Sequence, residues 1–225
     1  MHRLYPVTGL LALVLPALAG DVVGHALITK RLTKKALSPI VYNLRGATPS
    51  PSSYPETERS SELDRLVIIL EGGAARSKSP ETVVIDQRNM RFDPDLVVPV
   101  GSTVQFPNAD PIFHNIFSLS KTQPFDLGFY SQGQSRTVKF NHSGIVQVYC
   151  HIHANMYAAI VVTASPWYAR PAADGSFTWS NIPAGHYRLI AWHKIAGLFK
   201  TEIDVPESGK TEATIRIPID VDSER

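Results

Sequence analysis

A single cysteine in 225 residues is the first absence with consequences. One thiol cannot close a disulfide within its own chain, so no disulfide framework holds this protein together. With 44% hydrophobic residues at this length, the chain buries a core without cross-links. Charge of one sign is missing too. Lys and Arg number 22 against 20 Asp and Glu, both signs are scattered, and the formal net charge is +2. Neither nucleic acid nor an anionic membrane surface is therefore expected as a partner. Beyond the first 20 residues no apolar run approaches the about 20 residues that cross a bilayer. A phosphate loop, a nucleophile elbow and a carboxylate pair in a catalytic setting are all lacking, which argues against an enzyme.

What is present begins at the amino terminus. "MHRLYPVTGLLALVLPALAG" opens with His2 and Arg3, runs apolar from Val7 to Leu18 and closes on Ala17-Leu18-Ala19, a small-x-small cleavage pattern. The run is short and broken by Pro16, so residues 1–19 read as a secretory signal peptide rather than an uncleaved anchor or a buried first strand. The mature chain, from near Gly20, is expected outside the cytoplasm without stable membrane insertion; losing Arg3 leaves a net charge of +1. In such a compartment a lone thiol is an intermolecular bridge, a reactive group, a buried bystander or a metal ligand.

The chain reads as all-β. "VVGHALITK" (22–30) alternates and is rich in β-branched residues, and "LVIIL" (66–70) is a short apolar run, so both predict strands. Between them, residues 31–45 are ambiguous between a short helix and a strand, and 46–65 is a Pro- and Ser-rich surface excursion. From Thr82 strands and turns alternate quickly without helical periodicity. Strands are predicted at Thr82–Asp86, Asp95–Pro99, Thr103–Phe106, Asn115–Ser118, Arg136–Phe140, Ile145–Cys150 and Ala158–Thr163. This pattern predicts an antiparallel Greek-key sandwich or barrel over 82–164. Four more strands follow in the tail, "GSFTWSNI", "GHYRLIAWHK", "LFKTEIDV" and "KTEATIRIPI", which alone make half a sandwich. Pairing the early strands (20–75) with the tail (170–220) gives one small split sandwich carrying the central region as an insertion. The alternative is that each fragment decorates the central barrel.

The chemistry gathers at "VYCHIHANM" (148–156), with the spacing Cys150-x-x-His153-x-x-Met156. Upstream, "PNADPIFHNIF" puts His114 just after a turn, at the start of a strand. Thiolate, two imidazoles and a more distant thioether form the trigonal donor set that suits copper moving between its two oxidation states. Zinc sites more often use several thiolates or a harder fourth ligand. Side chains alternate faces along a strand, so His151 should leave the site that Cys150 faces, while His153, in the turning loop, can come back to it.

Residues 82–164 resemble a blue copper cupredoxin of the plastocyanin, amicyanin and pseudoazurin kind. The resemblance is carried by "FDPDLVVPVGSTVQFPN" (92–108), His114-Asn115, "GQSRTVKF" (133–140), "GIVQVYC" (144–150) and "HANM" (153–156), with a short amicyanin-type loop. It implies one copper ion at His114, Cys150, His153 and Met156, and a bracing role for Asn115 behind the cysteine loop. His151 departs from the family pattern and leaves an altered site open. In the tail, "ADGSFTWSNIPAGHYRLIAWH" (173–193), with "VVGHALI" as an early strand, resembles carboxypeptidase regulatory-like, transthyretin-like sandwiches. Exported bacterial proteins of methylamine-utilisation type share the combination, which implies a periplasmic setting.

Other features have bland readings. His25, His142, His186 and His193 have no ligand partner at useful spacing and read as half-buried or surface histidines. Trp179 and Trp192 read as core or rim of the small sandwich, "FDLGFY" (125–130) as an inward-packing aromatic segment or a docking surface, and Asn141-His142-Ser143 as a weak glycosylation sequon. The leading expectation is a one-electron carrier between redox proteins outside the cytoplasm. The alternatives are copper storage or delivery, an enzyme-like copper centre in which His151 or water completes the shell, and a structural or partner-binding protein whose metal only stabilises the fold.

Overall fold

The computed structural model describes residues 19–29, 62–73, 77–194 and 196–217. Residues 1–18 of the expected leader (1–19), the ambiguous stretch 31–45 and most of the 46–65 excursion lie outside the described residues. Apart from one 3-10 turn at Glu62–Arg65, the regular elements among the described residues are all strands. None of these elements is a helix long and apolar enough to cross a membrane.

Two early strands are β1 (Ala19–Ile28) and β2 (Leu66–Gly72). The central region holds β3 (Thr82–Val84), β4 (Asp86–Arg88), β5 (Arg91–Asp93), β6 (Leu96–Pro99), β7 (Thr103–Pro107) and β8 (His114–Ser118). It continues with β9 (Phe125–Tyr130), β10 (Ser135–Lys139), β11 (Gly144–Tyr149) and β12 (Tyr157–Thr163). The tail adds β13 (Tyr168–Ala169), β14 (Ser176–Pro183), β15 (Gly185–His193), β16 (Gly197–Val205) and β17 (Lys210–Ile217).

In the central region a five-stranded sheet, β6-β12-β11-β8-β9, faces a three-stranded sheet, β10-β7-β3. The core between them holds Ile85, Val104, Phe106, Phe140, Val148 and Ile160. The remaining strands form sheets β14-β1-β17 and β13-β2-β15-β16, closed over Val22, Leu66, Ile68, Leu70, Leu189 and Ile215. Thus β1 pairs with β14 and β17, and β2 with β15 and β13, strands more than ninety residues away. Each large aliphatic side chain buried in these cores contributes roughly 1.5–3 kcal/mol.

A third apolar layer joins the two sandwiches. Val67, Ile69, Ile190 and Trp192 of the outer sandwich pack on Ala159 and Val161 of β12. Both β2 and β12 are therefore buried on two faces, and both read as unbroken apolar runs, LVIIL and AAIVV, instead of alternating. The seam also carries charge. Lys194 Nζ donates to both oxygens of Asp95 at 2.8 Å, and Asp95 Oδ1 accepts from the Ala159 backbone N at 2.7 Å.

The antiparallel expectation for 82–164 needs correction: β3 with β7 and β6 with β12 are parallel, and in the outer sandwich β1 with β17 is parallel too. Chain crossings between sheets bring these strands together from distant sequence, and no local pattern records their direction. Three strands, β5, β9 and β13, escaped the sequence reading. The short β5 is the return arm of a hairpin with β4, and β9 has a glycine and aromatics on both faces in place of alternation. Glu62–Arg65, expected in a surface excursion, is an ordered turn against the outer sandwich, where Arg65 O accepts from Lys194 N at 3.0 Å.

Candidate metal centre

β11 fixes the cysteine. Val146 and Val148 point into the central core, and two residues on Cys150 has the same parity, buried in the same cluster. His151 points the other way. Its ring stacks on Phe117 with centroids 3.9 Å apart and planes 4° apart, on the outer face of the sheet. The chain then turns, and the Met156 backbone N donates to His153 O at 2.9 Å, which brings His153 back over the cysteine. Met156, 1% exposed, lies in the cluster that holds Cys150.

His114 arrives from β8, wholly buried, facing inward with Ile116 and Ser118. The β8–β9 register shifts between Asn115 and Phe117, a bulge beside the histidine of the kind that re-aims side chains at functional sites. His114 Nδ1 lies 3.0 Å from His153 Nδ1 and 3.9 Å from Cys150 Sγ, and Cys150 Sγ lies 3.7 Å from His153 Nδ1. Three of the four expected ligand residues thus converge through their donor atoms, and the fourth, Met156, is buried in the same core.

The fit to a metal follows from that triangle. The point equidistant from its corners lies about 2.1 Å from each atom, within the about 2.0–2.3 Å span of metal–imidazole and metal–thiolate bonds. The protonation pattern agrees. His114 Nε2 lies 2.8 Å from Asp110 Oδ2, and a carboxylate takes the Nε2 proton as its hydrogen bond, leaving the Nδ1 lone pair facing Cys150 and His153. The 3.0 Å contact between His114 Nδ1 and His153 Nδ1 is a hydrogen bond when one of the two carries a proton, and the same lone pairs are free for a metal once that proton leaves. Two nitrogens and one cysteine sulfur, with a thioether side chain in the same core and no carboxylate in the converging group, are donors for copper rather than calcium or magnesium.

No protein-family model matches the chain, and no curated protein matches it. Solved structures do. A reduced amicyanin variant is 25% identical over 36% of this chain and 80% of its own, with a TM-score of 0.34. A copper-containing nitrite reductase from Thermus scotoductus SA-01 is 24% identical over 41% of this chain and 25% of its own, with a TM-score of 0.35. A purple cupredoxin from Nitrosopumilus maritimus is 28% identical over 33% of this chain and 84% of its own, with a TM-score of 0.31.

Around the converging side chains lie residues that the sequence reading missed or placed differently. Asp110 is buried, which alone would raise its pKa. Hydrogen bonds from Met90 N, His114 and Asn89 N outweigh that and hold the carboxyl below its ordinary value. Asn115, expected to brace the cysteine loop, donates through Nδ2 to Asp126 Oδ1 at 2.6 Å. Asp126 Oδ2 lies 3.4 Å from His151 Nε2, so Asn115 reaches the loop by way of Asp126 and His151. Hydrogen bonds from Gly128 N and the Asn115 amide keep Asp126 below the usual carboxylate range. Neither carboxylate has a sequence signature beyond closeness to a ligand histidine or its neighbour. Of the remaining histidines, His25, His142 and His186 are exposed as expected, whereas His193 is completely buried in the outer sandwich.

Proposed function

We propose that this chain is a mononuclear blue copper protein that carries one electron at a time between redox partners outside the cytoplasm. The observation that carries this reading is the triangle of His114 Nδ1, Cys150 Sγ and His153 Nδ1, of a size to share one ion, with Met156 buried in the same core. When bound, copper supplies a one-electron couple. The protein supplies a ligand set that changes little as the couple turns over, because three of the donor residues are locked in the core of a sandwich. His114, Cys150 and Met156 are shielded from water, and His153 is the half-buried member. Electrons therefore exchange through His153. Its surroundings suit a transient partner with an apolar contact face: Ile112 and Phe113 precede His114, Ile152 precedes His153, and all three are exposed.

Export to the periplasm fits a free cysteine protected as a metal-bound thiolate. The outer sandwich belongs to this proposal as a transthyretin-like scaffold that covers the outer face of the copper-binding sheet. Titration of the mature chain with Cu(II) tests the reading. One equivalent should produce an intense thiolate-to-copper absorption band. A colourless product, or copper held without that band, would remove the electron-carrier reading.

A further inference from the structure

The hairpin between β4 and β5 turns on Asn89 and Met90, with φ of 56° and 54°. A two-residue hairpin loop of this kind asks for positive φ at both central positions, which Gly and Asn accept readily. Methionine does not, because its Cβ crowds the backbone there. Strain of this sort persists where the surroundings hold it in place. What holds it here is one carboxylate. Asn89 N donates to Asp110 Oδ1 at 2.6 Å, and Met90 N donates to Asp110 Oδ2 at 2.8 Å. Asp110 is clamped from its own side as well. Its backbone N donates to Asn108 Oδ1 at 2.9 Å, while Asn108 Nδ2 donates to Ile112 O at 2.8 Å and Tyr130 O at 3.1 Å. The remaining direction of the carboxylate is toward His114 Nε2, 2.8 Å away.

We propose that Asp110 is a positioning residue of the metal centre: it fixes the His114 tautomer and orientation, and its buried negative charge favours oxidised over reduced copper. This rests on the copper reading above and assigns a role to a residue outside the ligand set. A capping aspartate needs only the two hairpin N–H groups. The third bond, from an Asp110 only 6% exposed to a wholly buried histidine, is what a cap does not require. The charge logic is direct. Cu(II) with one thiolate leaves one net positive charge for Asp110 to neutralise, whereas Cu(I) with the same thiolate leaves none. Burial keeps that difference from being screened.

Asp110→Asn tests the proposal. The amide can still accept from a hairpin N–H, but its NH2 group offers His114 a donor where the carboxylate offered an acceptor. Copper affinity should fall by about 10–100-fold. The preference for Cu(II) over Cu(I) should fall roughly tenfold, which for a one-electron couple is an upward potential shift of about 59 mV. Met90→Gly relieves the turn without touching the carboxylate and should leave the potential where it was. If Asp110→Asn lowers thermal stability while affinity and potential stay at parental values, Asp110 is only a turn cap and the proposal is overturned, with the copper reading intact. Should that variant not fold, the parental chain loaded with Cu(I) decides. Its imidazole nitrogen NMR spectrum should show His114 protonated at Nε2 and slow to exchange, and a His114 without that proton overturns the proposal. Failure of the copper reading looks different: the parental chain would show no thiolate–copper band at all.

Discussion

His114 and His193 are both wholly buried, and each meets a carboxylate, one in each sandwich. In the outer sandwich, His193 Nδ1 accepts from Ala196 N at 3.0 Å, and Nε2 lies 3.1 Å from both the carbonyl and a carboxylate oxygen of Glu62. Both ring nitrogens are thus occupied by the chain itself. In the central sandwich the Nε2 of His114 meets Asp110, and its Nδ1 lies 3.0 Å from a second imidazole, His153, and beside the Cys150 sulfur. Burial and a carboxylate partner are common to both. What distinguishes the two histidines is the company of the second nitrogen.

The largest effect expected from breaking this contrast is at the thiol. Cys150→Ser should abolish the absorption band completely, because the charge transfer originates on sulfur. Exchanging the two histidines comes next. His114→Gln should lose the band and most of the copper affinity. His193→Gln should keep the spectrum but cost about 1–3 kcal/mol of stability in denaturant unfolding, since Glu62 and Ala196 lose a buried partner. A His193→Gln chain with an altered copper spectrum would erase the distinction.

The contrast extends to pH. Burial pushes the pKa of His193 below the ordinary histidine value, the Glu62 carboxylate only partly opposing it. The folded state then favours the neutral ring and the unfolded state takes up the proton more readily. His193 accordingly contributes stability that is fully present above the unfolded value of about 6.5 and is lost as pH falls through the lower folded value. Melting of the parental chain should become acid-sensitive as pH falls below about 6.5, and His193→Gln should flatten the dependence. The smallest effect is expected at the surface. Ile152→Asp should slow electron exchange with a redox partner by roughly several-fold while leaving the spectrum unchanged.

Much of this was legible because it is local. Cys150, His153 and Met156 sit within seven residues, and strand parity turns His151 away from Cys150 while the turning loop returns His153, without knowledge of the rest of the fold. The outer sandwich was legible through the incompleteness of its parts, as four tail strands cannot cover both of their faces. Other features depend on contacts far apart in sequence. The parallel pairing of β6 with β12 joins residues some sixty positions apart, and nothing in "LVVP" announces its direction. Asp110 stands four residues before His114 in a loop with no periodicity, and its hairpin partners lie twenty residues upstream. His193 read as a half-buried or surface histidine because Glu62, which meets its Nε2, lies more than a hundred positions earlier.

X-ray absorption at the copper edge of the loaded mature chain addresses the convergence of His114, Cys150 and His153 most directly. The account predicts a single copper with two imidazole nitrogens and one short sulfur neighbour, the sulfur missing in Cys150→Ser. A shell of nitrogen and oxygen alone in the parental chain would contradict it.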